Sequence, residues 1–134
     1  MRNPRPLVAV VDDDPSVRLS LKRLLETDVY VVEIFASASA FLEYDRGACV
    51  DCLVVDVGMP NLTGLDLQRM LLGAGFDTPI VVITGQADAS SATRAIDAGA
   101  VDFIIKPFDD VVFLDAVQRA VARRRGRGKD PGSG

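Results

Sequence analysis

The sequence predicts an α/β domain built on a five-stranded parallel sheet with helices on both faces. Three observations carry this. Five short apolar runs rich in Val and Ile recur along 134 residues, at 7–11, 29–35, 52–55, 79–83 and 101–105. Amphipathic stretches with helix start signals separate them. Most of the runs lack clean alternation, as strands covered on both faces do. A strand–helix rhythm repeated five times closes by right-handed crossovers into one sheet.

The elements follow in order. The first run, 7–11, stops at Asp12-Asp13-Asp14. Asp14 followed by Pro15 is a helix cap with proline at the first helical position. Val17, Leu21, Leu24 and Leu25 then fall on one helical face. The run 29–35 contains Glu33, which marks it as the expected edge strand. Ser37 caps a second helical segment expected to bury Phe41 and Leu42. Cys52 opens the third run. Thr63 with Asp66 three residues later resembles a capping box, and Leu65, Leu67, Met70 and Leu71 form the stripe behind it. The run 79–83 leads to Thr84-Gly85. Asp88 opens an Ala-rich fourth helix that ends at Gly99, a natural residue just past a helix end. The run 101–105 leads to Lys106-Pro107. Asp109 caps the fifth helix, whose expected core positions are Val112, Phe113, Val117 and Val121. The domain is expected over 5–124, with 125–134 a basic, Gly-rich, disordered tail or linker.

Composition narrows the chemistry. The chain has no histidine, which excludes a Ser–His triad, His-ligated zinc and a phosphohistidine made on this chain. Cys49 and Cys52 form a C-x-x-C that leads into a strand. Redox pairs instead open a helix, whose end lowers the thiol pKa, so ordinary packing is expected here. Residues 1–118 hold 9 basic against 18 acidic side chains, while 119–134 hold 6 against 1. An acidic body argues against nucleic-acid binding by the domain. The first apolar run is too short for a signal peptide, and no stretch reaches the ~20 apolar residues of a membrane span. The expected compartment is the cytoplasm, with no membrane contact.

Ligand sites of parallel α/β sheets lie outside the carboxyl ends of the strands. The residues just past the runs are Asp12, Asp13 and Asp14, then Asp56, then Thr84 and Gly85, then Lys106. Asp14 is most simply the helix cap. The others bring carboxylates, a hydroxyl and an ammonium to one edge. Clustered carboxylates repel unless a cation sits among them. Oxygen donors without His or Cys select a hard ion such as Mg²⁺. A carboxylate beside Mg²⁺ can act as a nucleophile and become an aspartyl phosphate. Lys106 and Thr84 would then supply charge and a donor to the phosphoryl oxygens. No phosphate-binding glycine loop is present.

These residues resemble the receiver domain of bacterial two-component response regulators. The resembling stretches are Val10-Val11-Asp12-Asp13-Asp14, Leu53-Val54-Val55-Asp56-Val57-Gly58-Met59-Pro60, Gly64-Leu65, Pro79 through Gly85, and Ala98 through Phe108. The resemblance implies a flavodoxin-like (βα)5 fold with strand order 2-1-3-4-5. It implies Asp56 as phospho-acceptor, and Asp12, Asp13, Asp56 and the Gly58 carbonyl as the Mg²⁺ site. It implies Thr84 and Lys106 as the pair that grips the phosphoryl group, and a cis Lys106–Pro107 bond. Thr84 and Phe103 are the implied switch, changing the surface of the fourth helix, fifth strand and fifth helix. Gly58 and Gln86 occupy the positions that tune dephosphorylation.

The implied partner is a sensor histidine kinase or a histidine phosphotransfer protein, with homodimerisation on phosphorylation as an option. The resemblance also implies self-catalysed phosphotransfer with weak autodephosphorylation, so no dedicated enzyme is expected. Two alternatives stand beside this reading. The chain is a fragment of a longer DNA-binding transcription regulator, or a haloacid dehalogenase-like phosphatase with Asp12 as nucleophile.

Overall fold

The computed structural model describes residues 5–56, 69, 73, 77–85 and 99–129. Its elements are β1 (Leu7–Val11), α1 (Pro15–Glu26), β2 (Val31–Phe35), α2 (Ala38–Leu42), a 3-10 turn (Gly47–Cys49), β3 (Cys52–Asp56), β4 (Ile80–Thr84), β5 (Asp102–Ile105) and α3 (Asp110–Lys129). The last of these is the fifth helical segment of the sequence pattern. The stretches read as the third and fourth helices, begun by Thr63 and Asp88, lie outside the described residues.

Every described strand pair is parallel, and the order is β2-β1-β3-β4-β5. β2 is an edge, as Glu33 indicated. β1, β3 and β4 are buried along their whole length, which explains their unbroken apolar runs. The register sets Val11 beside Val55, Asp56 beside Ile83, and Thr84 beside Ile105. The residues that end these strands therefore meet along one rim.

Alternation along the strands splits the interior in two. One core holds Val8, Val10, Val54, Val81 and Ile83 under Leu21 and Leu25 of α1 and Phe113, Val117 and Val121 of α3. The other holds Ala9, Val11, Leu53, Val55 and Val82 under Ala38 and Phe41 of α2. Local signals work as read. The Asp14 side chain accepts from the Ser16 N–H at 2.9 Å, and Ser37 Oγ accepts from the Ala40 N–H at 3.1 Å. Gly99 has φ +103°, in the left-handed region that suits glycine.

Three expectations need correction. β2 begins at Val31, because its ladder starts where Val31 N–H meets the Pro6 carbonyl at 2.9 Å; Val29 lies before it and is exposed. Leu42 is exposed, because the single turn of α2 commits its inner face to Phe41, which packs edge-on against Phe35 at 5.4 Å. Val112 is exposed, because the buried stripe of α3 is Phe113, Ala116, Val117, Ala120 and Val121. Its spacing of three and four admits two alanines that a search for large side chains passes over. α3 itself runs through Lys129, past the end of the expected 5–124 domain.

Candidate functional site

Asp12 follows β1 and is fully buried. Its backbone is fixed on both sides: the N–H donates to the Phe35 carbonyl at 3.1 Å, and the carbonyl accepts from Arg18 Nη1 at 2.8 Å. Its Oδ1 accepts from the Asp14 N–H at 2.9 Å. Asp14 itself is the cap of α1, as the Asp-Pro pair indicated. Asp13 between them is exposed. Asp56, the last residue of β3, is nearly buried. Each of Asp12, Asp13 and Asp56 offers a carboxylate oxygen, and these atoms all lie within 4.8 Å of one another.

Lys106 reaches this cluster from the end of β5. Its Nζ stands 3.3 Å from Asp56 Oδ2 and 3.5 Å from Asp12 Oδ2. Its backbone N–H donates to the Thr84 carbonyl at 2.7 Å, and the Lys106–Pro107 bond is cis. Thr84 is buried at the end of β4, and Phe103 is half-buried against the second core. The structure thus brings together Asp12, Asp13, Asp56, Thr84 and Lys106. Gly58 and Gln86 lie outside the described residues.

The charges are strained in an informative way. Burial pushes the Asp12 carboxyl above its ordinary range and the Asp56 charge adds to this, while the Asp14 N–H and Lys106 hold it back. Burial works against the Lys106 ammonium, yet Asp12 and Asp56 outweigh it and hold that group above its usual value. Three crowded carboxylates, oxygen donors only, suit a hard divalent cation better than a soft one. The residues present fit such an ion.

Two features escaped sequence reasoning. Arg18 braces the Asp12 backbone, and its signal is its place one turn into α1, four residues after the cap. A groove of about 610 Å³ runs beside the cluster between α1 and the β5–α3 connection, lined by Val17, Leu21, Leu24, Pro107 and Phe108. No local pattern announces it, because it forms between segments 80 residues apart. Both cysteines are free; Cys49 is exposed, whereas Cys52 is buried, and burial pushes its thiol far above the usual value. Among the described residues, no helix is long and apolar enough to cross a membrane.

The response regulator receiver domain profile matches residues 8–118. The chain is 43% identical over 116 residues to the response regulator protein TodT of Pseudomonas putida, covering 86% of this chain and 51% of TodT. It is 42% identical over 113 residues to the transcriptional regulatory protein FixJ of Rhizobium meliloti, covering 84% of this chain and 55% of FixJ. The chain thus spans about half the length of these curated relatives. Among solved structures, FixJ-N superposes with a TM-score of 0.79 at 40% identity, covering 90% of this chain and 95% of that one. The response regulator StyR superposes with a TM-score of 0.86 at 40% identity, covering 93% of this chain and 63% of that one.

Proposed function

The chain belongs to the receiver domain family of two-component response regulators, and on that premise we propose that Asp56 accepts a phosphoryl group, with Asp12 and Asp13 holding Mg²⁺ beside it. The observation that carries this is the meeting of three carboxylates within 4.8 Å, with the Lys106 ammonium 3.3 Å from Asp56. The Gly58 carbonyl completes the proposed ligand set. Bound Mg²⁺ would neutralise the charge on the phosphoryl oxygens, which phosphoryl transfer needs more than acid–base groups.

The donor in this reading is the phosphohistidine of a sensor histidine kinase or a histidine phosphotransfer protein. An Asp56 oxygen forms the new O–P bond as the N–P bond breaks, and the leaving imidazole takes up a proton. Lys106 turns from the Asp56 carboxylate to a phosphoryl oxygen, and the Thr84 hydroxyl donates to another. Both contacts exist only in the phosphorylated state, so they bias a two-state equilibrium. Movement of Thr84 lets Phe103 turn inward and alters the surface of β5 and α3. Ile105, Val111 and Val112 are exposed there, which supports dimerisation or output contact on that face. Side chains at 58 and 86 tune how fast water removes the phosphoryl group. The protein is in this reading a cytoplasmic acceptor with weak autodephosphorylation.

The match to this chain covers only 51% of TodT and 55% of FixJ, and FixJ is a transcriptional regulatory protein. We therefore assign the receiver to control of a DNA-binding output carried by a longer regulator. The alternative nucleophile, Asp12, is poorly presented, because it is fully buried and its Oδ1 is held by the Asp14 N–H.

The test is intact mass after incubation with a small acyl-phosphate donor, with and without Mg²⁺. A Mg²⁺-dependent gain of one phosphoryl group that disappears in Asp56→Asn is expected. A gain that persists in Asp56→Asn and is lost in Asp12→Asn would move the nucleophile to Asp12.

A further inference from the structure

Asp51 lies at the opposite end of β3 from Asp56 and is almost fully buried. Its carboxylate joins three elements. Oδ2 accepts from the Leu7 N–H at 2.9 Å, at the start of β1. Oδ1 accepts from Arg124 Nη1 at 3.2 Å, and Oδ2 from Arg125 Nη2 at 3.2 Å, both on α3. Arg124 Nη1 also donates to the Val50 carbonyl at 2.7 Å. These are charge-assisted bonds on a carboxylate largely removed from water, where they count for more than at the surface.

The segment they hold carries two features that work against a helix. Residues 123–129 read Arg-Arg-Arg-Gly-Arg-Gly-Lys, five cations and two glycines. Glycine inside a helix is disfavoured, and neighbouring like charges repel, while a favourable interaction with the helix end offsets only part of this. The helix nevertheless continues through Lys129. At 20 residues it is about 30 Å long, against roughly 17 Å for a five-residue strand, so it outruns the sheet at the amino-terminal rim of the strands.

We propose that Asp51 is a clasp that fixes the distal part of α3 to the base of the sheet, so the helix leaves the domain as a rod of set direction. The clasp imposes that direction on any segment joined to the helix. It lies at the far rim from the acidic cluster and does not depend on the phosphoryl chemistry.

The test uses the full chain as Asp51→Asn and, separately, as Arg124→Gln/Arg125→Gln. The Asn amide oxygen can still accept from Leu7, but it cannot hold two guanidinium groups. The double variant leaves Asp51 and its Leu7 bond intact. Amide hydrogen exchange of 122–129 should quicken roughly tenfold to a hundredfold in both variants, and trypsin should cut there faster. The amides of β1, β3 and β4, and phosphoryl uptake, should be unchanged. Unaltered protection of 122–129 in the double variant would overturn the clasp. So would loss of protection throughout the sheet in the double variant, since the contact would then belong to the general fold.

Discussion

Replacing Asp12 by Asn should make the metal-free protein more stable, although it alters a buried residue at the centre of the site. Two carboxylate oxygens at 4.8 Å, the outer limit found here, repel by about 3.5 kcal/mol at an effective dielectric constant of 20. Asp12 has two such neighbours, Asp13 and Asp56. Against them stands the Lys106 ammonium at 3.5 Å, an attraction of about 4.7 kcal/mol on the same scale. Water around the exposed Asp13 weakens its share. A net gain of about 1–2 kcal/mol remains, or roughly 4–8 °C in midpoint for a domain of this size. The Asn amide oxygen can keep the bond from the Asp14 N–H, so the local backbone should hold.

The assay is thermal unfolding of wild type and variant, in chelator and in excess Mg²⁺. In chelator the variant should melt higher. Added Mg²⁺ should raise the wild type by up to about 2.7 kcal/mol at a hundredfold excess over its dissociation constant, and the variant far less. Acidification gives a further check. The folded state holds the Asp12 proton more tightly than the unfolded chain, because its carboxyl sits above the ordinary 3.8. Metal-free wild type therefore gains stability relative to the variant as pH falls through the raised value toward 3.8, and the variant's advantage should shrink. A variant that melts lower than wild type in chelator, or that responds to Mg²⁺ as wild type does, would refute the reasoning.

Other outcomes follow from the same structure. Lys106→Ala should leave Mg²⁺ affinity within a few-fold, by calorimetric titration, yet weaken the surface change that follows phosphorylation, read as chemical shifts on β5 and α3. Phe113→Ala removes a fully buried ring stacked on Phe108 at 5.4 Å, and denaturant unfolding should show a loss of about 3–5 kcal/mol. Asp14→Ala removes the α1 cap and should cost about 1 kcal/mol in the same experiment. Gly99→Ala meets no neighbouring atom but must adopt φ +103°, so it should cost roughly 1–2 kcal/mol from backbone strain alone.

Much of this molecule is legible in its residues because strand ends and chemistry coincide. The apolar runs stop where a carboxylate, a hydroxyl or an ammonium begins, and the parallel register then carries Asp12, Asp56, Thr84 and Lys106 to one rim. Caps were readable for the same local reason: Asp14 and Ser37 act within three residues of themselves. What was not legible depends on partners far along the chain. The helicity of 125–129 runs against its two glycines and crowded charges, and the contact of Arg124 with Asp51, 73 residues away, is invisible to any local pattern. Ala116 and Ala120 escaped notice because a small side chain is buried by fit against a neighbour and not by its own hydrophobicity. Leu42 and Val112 are the converse: apolar side chains that the geometry of a short helix or a helix face turns outward.

The sheet is also a partition. Successive side chains of β1 go to opposite sides, so Val8 and Val10 share one interior with Phe113 while Ala9 and Val11 share the other with Phe41. No side chain can fill both. Sequence drift on one side can therefore be compensated only on that side, and each half is free to change its packing without consulting the other. The rim is the exception, since Asp12 and Asp56 end strands that wall both compartments. Substitutions at Phe41 and Phe113 should accordingly add in their effects on stability, and the two interiors can diverge at different rates around a site that neither is free to move.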